Sequence, residues 1–438
     1  MALKLYEHQK MMLALLRLNN FFAIFAEQGT GKTLPVLIRL GELIEEGWAD
    51  NCLVVCPKAV IGSWYRDMEK FYPGVSDKLR KHITVTSYDL VWRRQEFRRH
   101  WDAIVLDESH KIKNHSAKRS QCLLEMALDS DYRYILTGTP ISNGMLEDIW
   151  SQYTFLEPYK GARSVYSRIF GGSYYQFLGT YALLNKYHRP YRYIHVDALQ
   201  DIINEHSFRV KKVDCLDLPD KLPDEIYDID LLEKKAYKEL HEESALEDLD
   251  VLASNPLSRM TKLRQMCSGW VNDGHEDIPM KCEKLAALAD FLDGWEKKLV
   301  IFCEFRRSID NVVGLLQKEK LNYVVLDGRT KDKTVWKKFQ EDPTVQIIVC
   351  QYQSANAGID LYAADTMLFY EPTLSSNVLE QAKDRIHRIG QKSPCSYIHF
   401  LTKGTIEKAI YRALTRYADF SDKLFREYML EWQKGFKE

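Results

Sequence analysis

Short, uninterrupted runs of apolar residues alternate with amphipathic stretches along residues 1–200 of the chain. Such runs are typical of strands that are buried on both faces of a parallel sheet. Two stretches with helical spacing, 35–45 and 118–128, separate some of them. The predicted strands are 21–25, 52–56, 83–85, 103–106 and 134–136. This alternation predicts an α/β fold with a mostly parallel sheet and helices on both faces.

The same alternation returns in the second half of the chain, after a stretch of different character. Residues 151–280 are dense in tyrosine and mixed charges and have weak strand patterns, so we expect largely helical insertions there. The predicted strands that follow are 299–303, 323–326, 346–349, 366–370 and 396–401. Residues 405–432 have amphipathic helical spacing, which predicts a helical tail that packs on the preceding unit.

These patterns predict two similar α/β units. The chain has 438 residues, which is long enough to bury more than one hydrophobic core. We expect the first unit over residues 1–205, with a helical insertion from about residue 151. We expect the second unit over residues 206–438, with a helical insertion at about 230–280 and C-terminal helices.

Composition and the lengths of the apolar runs exclude several classes of protein. Its hydrophobic fraction of 45% and charged fraction of 28% are ordinary for a globular protein. No apolar run approaches the ~20 residues that cross a bilayer, and the N-terminus lacks a secretory signal pattern. The nine cysteines occur singly, without a CxxC pair or histidines at zinc spacing, so we expect reduced thiols. We therefore expect a cytoplasmic protein (in the host cytoplasm if the chain is viral) with no membrane partner.

A glycine-rich segment, AEQGTGKT at 26–33, directly follows the first predicted strand and precedes a helical pattern. The general phosphate-binding loop has glycine where Ala26 stands, but the remaining positions fit. Glycines let backbone N–H groups turn onto phosphate oxygens, and the next helix adds its positive end. Lys32 is expected to reach the β- and γ-phosphates and Thr33 to offer a hydroxyl to Mg²⁺. The residues predicted to bind ATP here are Gln28, Gly29, Thr30, Gly31, Lys32 and Thr33.

Two adjacent carboxylates, Asp107 and Glu108, end another buried strand and are followed by Ser109 and His110. Asp107 is predicted to hold Mg²⁺, and Glu108 to position and deprotonate the attacking water. Solvated acids at a strand end are the alternative. The phosphate-binding loop upstream favours the catalytic interpretation.

Two further segments suit a nucleotide-driven machine. LTGTP at 136–140 places small hydroxyl residues at a strand end, which suits a hinge that senses the γ-phosphate, although a plain turn fits equally well. QAKDRIHRIGQ at 381–391 carries Arg385 and Arg388, which share a face if the segment is helical. Such an arginine can neutralise charge on a leaving phosphate, which raises the rate by ~10³–10⁵.

These motifs, in this order, resemble the Swi/Snf family of DNA translocases in helicase superfamily two. In that superfamily, alanine at the first position of the loop is usual. The segment at 381–391 matches the family's sixth motif at every specified place, and LTGTPISN at 136–143 is close to its third. The linking segment with its DLPDK core, LRQMC at 263–267 and KCEKL at 281–285 follow in the family's order. The matches at 5–9 and 326–330 are looser. The chain resembles a compact, core-only member of bacterial or phage type.

The resemblance implies two RecA-like lobes that close on ATP and Mg²⁺. Gln9 is then the residue that reads adenine. In the fifth motif, Gly358 and Asp360 align with nucleotide-binding positions, while Asn356 and Ala357 depart from the family pattern. Arg385 and Arg388 are then supplied by the second lobe, so that hydrolysis depends on the two lobes together.

Double-stranded DNA is the partner that the resemblance implies, bound through its phosphate backbone. The formal net charge of −1 neither favours nor excludes this, because binding needs a local basic surface. The residues predicted to face DNA are Lys58, Trp64, Thr86, Ser87, Tyr88, Lys113, Asn114, Arg306, Thr330 and Ser354. Trp64 and Tyr88 fit equally well as core aromatics.

Two other functions remain open from the sequence. One is a strand-separating helicase that acts on RNA or branched DNA. The match at 381–391 disfavours an RNA helicase of the DEAD-box type, and the absence of an obvious wedge hairpin in the sequence disfavours unwinding. The other is a non-catalytic nucleic-acid-binding protein on a motor fold, which predicts damage at Lys32, Glu108 or Arg388, and all three are intact. We expect a monomer, since no dimerising coiled coil is predicted. A recruiting protein cannot be named from the sequence.

Overall fold

The computed structural model describes residues 5–72, 76–141, 144–162, 164–215, 218–246, 249, 251–253, 255–355 and 359–416. The chain divides into two compact units, Met1–Asp217 and Leu218–Glu438. The sequence-based boundary lay at 205/206, whereas Ser207–Val210 forms a strand of the first unit's sheet. No helix among the described residues has both the length and the apolar character that a bilayer span requires.

The first unit contains a six-stranded parallel sheet. Its strands and the shorter ones beside it are β1 Phe21–Ala26, β2 Cys52–Cys56, β3 Ile83–Ser87, β4 Ala103–Asp107, β5 Tyr132–Leu136, β6 Pro158–Lys160, β7 Val165–Ser167, β8 Ala182–Leu184, β9 Pro190–Tyr193 and β10 Ser207–Val210. The helices are α1 Glu7–Leu18, α2 Thr33–Glu45, α3 Ile61–Phe71, α4 Ser76–His82, α5 Tyr88–Val91, α6 Lys118–Ala127, α7 Asp148–Leu156, α8 Tyr174–Tyr181, α9 Val196–Glu205 and α10 Lys212–Cys215.

The second unit contains another six-stranded parallel sheet. Its strands and the shorter ones beside it are β11 Glu225–Ile229, β12 Ala245–Leu246, β13 Val251–Leu252, β14 Trp270–Asn272, β15 Asp277–Pro279, β16 Leu299–Cys303, β17 Tyr323–Leu326, β18 Ile347–Gln351, β19 Thr366–Phe369 and β20 Ser396–Thr402. The helices are α11 Lys234–Glu243, α12 Pro256–Cys267, α13 Lys284–Leu292, α14 Arg306–Lys318, α15 Val335–Glu341, α16 Tyr352–Ala355, α17 Ser376–Lys383 and α18 Ile406–Leu414.

Both sheets are covered on their two faces, as the continuous apolar runs predict. The first has the order β10-β1-β5-β4-β2-β3 and the second β11-β20-β19-β16-β18-β17. In the first unit, α1–α4 pack on one face and α5–α7 with α9 on the other. In the second, α13 and α14 cover one face and α11, α12, α15, α17 and α18 the other. The α/β prediction of two RecA-like lobes is therefore confirmed.

The sequence-based prediction missed one edge strand of each sheet, whereas the opposite edge strands, β3 and β17, were predicted. Strands β10 and β11 were not predicted, because Ser207–Val210 mixes polar and apolar residues and Glu225–Ile229 is exposed at four of five positions. An edge strand is paired on one side only, so it can form without the uninterrupted apolar run of an interior strand. The expected helical insertions also contain the two-stranded pairs β6–β7, β8–β9, β12–β13 and β14–β15.

The described part of the predicted C-terminal tail is helix α18. Ile406–Leu414 is amphipathic and packs its apolar side on the second unit's core. The remainder of the predicted tail, from residue 417, lies outside the described residues.

Candidate functional site

The phosphate-binding loop predicted from sequence joins β1 to α2. Gly29 and Gly31 have φ of +80° and +76°, a backbone region that residues with a Cβ rarely adopt. A Cβ on Gly31 would also lie 2.5 Å from Gln9 Nε2, so a larger residue cannot be placed there without a shift. Lys32 is buried just before α2, and Thr33 is the first residue of that helix. The two glycines therefore allow the backbone of the loop to turn before the N-terminal end of α2.

Helix α1 holds this loop from the side. Gln9 Nε2 donates to Gly31 O at 3.1 Å, and the ring Nε2 of His8 lies 2.8 Å from Thr30 O. Gln9 Oε1 in turn accepts the Tyr6 backbone N–H at 3.0 Å. The structure thus brings Gln9 to the loop; its role in reading adenine stays a prediction.

The two carboxylates meet the loop at the carboxyl end of β4. Glu108 Oε1 lies 3.7 Å from Lys32 Nζ and accepts a hydrogen bond from Gln28 Nε2 at 3.2 Å. Glu108 has φ of +57°, which is uncommon for a residue with a Cβ and is found where the surroundings enforce it. This backbone turn sends Asp107 and Glu108 in different directions.

Their environments give the two acids opposite pKa shifts. Burial raises the pKa of both carboxyl groups, and for Asp107 the neighbouring Glu108 charge adds to this, so its pKa rises to about 6 despite Lys32. For Glu108, the Lys32 ammonium together with His110 and Gln28 outweighs burial, and its pKa falls to about 2. Separated pKa values in an adjacent acid pair are typical of catalytic sites.

A divalent cation fits this arrangement. Asp107 is a buried carboxyl whose ionised form is disfavoured, and a bound cation would stabilise that form. Carboxylate and hydroxyl oxygens, as Asp107 and Thr33 offer, are the ligands that Mg²⁺ prefers in proteins. Of the predicted metal ligands, Asp107 ends β4 and Thr33 begins α2.

The loop after β5 contacts the same carboxylate. Thr137 Oγ1 donates to Glu108 Oε2 at 3.4 Å, and His110 Nδ1 lies 3.1 Å from Thr137 Oγ1. A Cβ on Gly138 would lie 3.4 Å from Ala26 O, so this loop also packs closely on the phosphate-binding loop. The loop after β5 therefore contacts both Glu108 and the phosphate-binding loop.

A buried glutamine, Gln152, which the sequence patterns did not single out, links the segment after β4 to the loop after β5. Ser109 Oγ donates to Gln152 Oε1 at 2.7 Å, and Gln152 Nε2 donates to Pro140 O at 2.6 Å. The same amide nitrogen reaches Asp148 O at 2.9 Å within α7. All residues of α7 are buried, and a buried amide needs hydrogen-bond partners, but no pattern in the sequence marks this residue.

Four of the residues predicted to face DNA are instead buried in the first unit. Trp64, Thr86, Ser87 and Tyr88 expose 4% of their surface or less. Trp64 Nε1 donates to Asp107 Oδ2 at 3.0 Å, and Tyr88 OH donates to Asp107 O at 2.9 Å. The DNA-facing prediction is therefore wrong for these side chains, and the core-aromatic alternative holds. Trp64 and Tyr88 position Asp107.

The other three predicted DNA-facing residues of this unit lie at its surface. Lys58 is exposed directly after β2. Lys113 Nζ lies 3.5 Å from Asp148 Oδ2, so part of its charge is already paired. Asn114 accepts hydrogen bonds from Ser116 through Oδ1, which holds a turn after β4. These residues follow neighbouring strands, at the carboxyl edge of the sheet.

In the second unit, the two predicted arginines differ in their surroundings. Helix α17 ends at Lys383, and Arg385 and Arg388 lie in the turn and bend that follow, so the condition under which they would share a helical face is not met. Arg385 is 7% exposed. Arg388 is ion-paired with Asp360, donates to Ile359 O at 3.2 Å, and keeps 27% of its side chain exposed. Gly358 lies outside the described residues.

The last two residues of the segment 381–391, Gly390 and Gln391, pack against the segment that follows Asp360. Gly390 has φ of +109°, and a Cβ there would lie 2.9 Å from the Tyr362 ring. Gln391 Nε2 donates to Tyr362 O at 3.3 Å and Ala364 O at 2.7 Å. These contacts tie the arginine-bearing turns to the segment that contains Asp360.

The last three predicted DNA-facing residues share one edge of the second sheet. Arg306, Thr330 and Ser354 follow β16, β17 and β18, which are adjacent strands. The Arg306 guanidinium lies 3.1 Å from where a Cβ on Gly328 would stand. Thr330 Oγ1 donates to Val325 O at 3.1 Å, so this hydroxyl also holds the local turn. Ser354 is half-buried in α16.

Comparison with known families identifies the class of this chain. Residues 8–269, more than half of the chain, match the SNF2-related domain, and residues 283–390 match the helicase conserved C-terminal domain. The chain belongs to the SNF2-related family, a class of ATP-hydrolysing enzymes with a helicase core. This agrees with the nucleotide-type loop and carboxylate pair described above.

Individual relatives are distant. An uncharacterized ATP-dependent helicase of Mycoplasma pneumoniae is 25% identical over 90% of this chain and 39% of its own length. The chromodomain-helicase-DNA-binding protein 1-like protein of Mus musculus is 27% identical over 88% of this chain and 46% of its own length. The chain thus spans less than half of these relatives. The solved Sulfolobus solfataricus SWI2/SNF2 ATPase core in complex with dsDNA is 25% identical, covering 97% of this chain and 92% of its own, with a TM-score of 0.45.

Proposed function

We propose that this chain is an ATP-hydrolysing motor that moves along double-stranded DNA by following the phosphate backbone. One observation carries the proposal: the Lys32 ammonium, the Glu108 carboxylate and the Thr137 hydroxyl meet where the phosphate-binding loop reaches the end of β4. This is the set of groups that phosphoryl transfer to water needs, since the protein's task is to position and to neutralise charge.

The site residues of the first unit have distinct tasks in ATP hydrolysis. The loop N–H groups around Gly29 and Gly31 and the Lys32 charge bind the phosphates of ATP. Thr33 and Asp107 would hold Mg²⁺, which would supply positive charge against the phosphates.

Glu108 is the general base for the attacking water. In the structure its ionised form is stabilised by Lys32, which lies 3.7 Å away and is the largest cause that lowers the Glu108 pKa. When Lys32 turns its charge to the phosphates of ATP, Glu108 loses part of that stabilisation and becomes a better proton acceptor.

We assign charge neutralisation at the transferring phosphate to Arg388 rather than to Arg385. Arg388 keeps 27% of its side chain exposed, whereas Arg385 is buried. Asp360 holds the Arg388 guanidinium by an ion pair. Arg388→Ala is expected to lower DNA-stimulated turnover by about 10³-fold. Full turnover in this variant would remove the arginine from the mechanism.

The names of two relatives support DNA as the polymer along which the motor moves. One is named as a DNA-binding protein and the other as a DNA excision repair protein. Lys58 and Arg306, which lie at the carboxyl edges of their sheets and are exposed, supply positive charge for phosphate contacts. Such contacts are independent of base sequence, as movement along a duplex requires.

The test is steady-state ATP hydrolysis with no nucleic acid, single-stranded DNA, duplex DNA and duplex RNA. We expect stimulation chiefly by duplex DNA, and loss of that activity in Lys32→Ala and Glu108→Gln. Stimulation only by single strands or by RNA would contradict the substrate while leaving the ATPase standing. No hydrolysis under any condition would favour a binding protein instead.

A further inference from the structure

An exposed hairpin in the first unit has a composition unlike its surroundings. Strands β8 and β9 pair antiparallel, and the segment from Ala182 to Tyr193 reads ALLNKYHRPYRY, without a single acidic residue. Three of its residues are basic: Lys186, Arg189 and Arg192. The hairpin belongs to none of the motifs discussed above.

The hairpin also presents aromatic rings to solvent. Tyr187 is 71% exposed and Tyr191 is 65% exposed, among the most exposed large apolar side chains described in the chain. Lys186 Nζ lies 5.0 Å from the centre of the Tyr187 ring. Its three basic residues are also exposed, and none of them forms an ion pair with another described residue. Burying tyrosine on folding stabilises a protein, so exposed rings beside unpaired charges indicate a binding surface.

The tip of the hairpin is organised rather than loose. Asn185 Oδ1 accepts the backbone N–H groups of Tyr187 at 2.9 Å and Arg189 at 3.1 Å. The Asn185 backbone bonds to Arg189 O and His188 N, each at 2.9 Å, and closes the turn. A turn held in this way loses less conformational entropy when a ligand binds.

Another basic cluster in the same unit shows the contrast. The guanidinium groups of Arg93 and Arg99 lie over Trp92 and Trp101, at 5.1 and 4.2 Å from the ring centres. Arg94 is paired with Glu96 at 3.4 Å. One cation of that cluster is therefore paired with a carboxylate, whereas none of the three hairpin cations forms an ion pair with another described residue.

We propose that the β8–β9 hairpin binds unpaired nucleotides of DNA, with a base stacked on Tyr187 and the flanking phosphates paired with Lys186 and Arg189. This deepens the proposed function, on which it rests, by adding a preference for DNA that carries a single-stranded segment next to the duplex.

The alternation of cations and tyrosines is what selects unpaired DNA. Cations alone attract the phosphates of any nucleic acid, and duplex DNA would satisfy them. A solvent-exposed ring adds a stacking platform, which only an unstacked base can use. In an intact duplex each base is already stacked between its neighbours, so Tyr187 would gain little there.

The experiment compares binding of a forked DNA with single-stranded arms and a blunt duplex of equal duplex length, by fluorescence anisotropy at fixed salt. The variants are Tyr187→Ala, Tyr187→Phe, and Lys186→Glu with Arg189→Glu. Trp48→Ala removes a ring that is 63% exposed and lies before β2, so it controls for loss of an exposed aromatic. Lys318→Glu with Lys320→Glu controls for the same change of net charge.

We expect tighter binding of the fork by the unchanged protein. Tyr187→Ala should lose about tenfold in fork affinity and stay within about twofold on the blunt duplex, since one stacked base is removed. Tyr187→Phe keeps the ring and should bind like the unchanged protein. The charge-reversed pair should lose fork affinity more steeply at low salt.

Fork affinity that is unchanged in Tyr187→Ala and in the charge-reversed pair would overturn the inference, as would equal losses of fork and duplex affinity in Tyr187→Ala. DNA-stimulated ATP hydrolysis of the unchanged protein is measured alongside. If that stimulation is present while the hairpin variants bind normally, only the hairpin inference fails. If no DNA stimulates hydrolysis, the proposed function itself fails.

Discussion

Single side chains decide how the carboxylate pair works. Asp107 and Glu108 are neighbours in sequence, yet the different partners around each carboxyl group give opposite pKa shifts. Trp64 supports Asp107 and Lys32 supports Glu108, each through one contact. Small changes to these partners should therefore separate metal binding from proton transfer.

Trp64→Phe tests whether this indole serves the metal site rather than DNA. The variant removes the hydrogen bond to Asp107 and leaves an aromatic ring in the core. A bond to an ionised group contributes about 1.5–3 kcal/mol, so we expect the Mg²⁺ concentration at half-maximal ATP hydrolysis to rise about tenfold or more. DNA affinity should stay within about twofold.

The control for this variant is Trp101→Phe, because that indole is also buried but donates to Phe97 O, away from the carboxylates. It should lose stability without changing the Mg²⁺ dependence. An unchanged Mg²⁺ dependence with weaker DNA binding in Trp64→Phe would restore the DNA-facing interpretation.

Gln152→Leu tests the link between Ser109 and Pro140. The leucine keeps the bulk of the side chain but leaves the Ser109 hydroxyl and the Pro140 carbonyl without their shared partner. We expect kcat for ATP to fall about tenfold with KM within about twofold, since the loss affects alignment rather than binding.

Thr154→Val is the matched control, since its buried hydroxyl bonds only to Trp150 O within the same helix. Both variants should lower the unfolding temperature. Equal kcat in the two variants would mean that Gln152 serves stability alone.

At the scale of elements, the edge strand β11 is fastened through the residue before it. Asp224 accepts hydrogen bonds from Lys383 of α17 at 2.7 Å, His399 of β20 at 3.1 Å and Tyr411 of α18 at 3.3 Å. Burial opposes its ionisation, but His399 and Lys383 outweigh burial and hold the Asp224 pKa at about 2. One carboxylate thus joins three elements of the second unit.

Asp224→Asn should lower the free energy of unfolding by about 3 kcal/mol, because Lys383 loses its buried partner. Because the Asp224 pKa is lower in the folded protein than in the unfolded chain, its ionised carboxylate stabilises the fold at pH values above its ordinary pKa near 4. This stabilisation is lost as the pH falls through about 2. Denaturant melts at several pH values should therefore show a shallower loss of stability between pH 5 and pH 2 in the variant.

Asp230→Asn is the control for that experiment. Asp230 pairs with Lys403 at 2.9 Å, but its side chain is 62% exposed, and exposed pairs contribute little. The same acid dependence in Asp224→Asn and the unchanged protein would show that another group causes it.

For the molecule as a whole, each unit has its own hydrophobic core, made of one cluster on each face of its sheet. The second unit contains an ion pair without solvent exposure: Lys284 Nζ lies 2.6 Å from Glu407 Oε1, at 0% and 1% side-chain exposure. Lys284 also donates to Tyr370 O at 3.0 Å. We expect calorimetry to resolve two unfolding transitions.

Lys284→Ala should destabilise the second unit by about 3–5 kcal/mol, because it leaves the Glu407 carboxylate buried and unpaired. Lys284→Met with Glu407→Leu should recover most of that loss. Lys297→Ala, which removes a lysine that is 70% exposed, should change little. A single transition that moves as one in all variants would contradict two independently stabilised cores.

The interior of both sheets and the phosphate-binding loop follow from the sequence by itself. Strands such as Cys52–Cys56 and Leu299–Cys303 have the predicted bounds, because interior strands need continuous apolar residues. The loop with Gly29 and Gly31 is equally local, since glycine, lysine and threonine must stand in a fixed order for the backbone to turn. Family membership follows from such contiguous motifs.

Only the tertiary structure decided which distant residues serve those motifs. Gln152 meets Ser109 across 43 positions, and Asp224 meets Lys383 across 159, and no local pattern encodes either pairing. Trp64 was predicted to face DNA on family position alone, and its burial against Asp107 became visible only once β4 and α3 were packed together. The edge strand β11 needed its neighbour as well, because pairing with an already formed sheet, rather than apolar content, is what makes Glu225–Ile229 a strand.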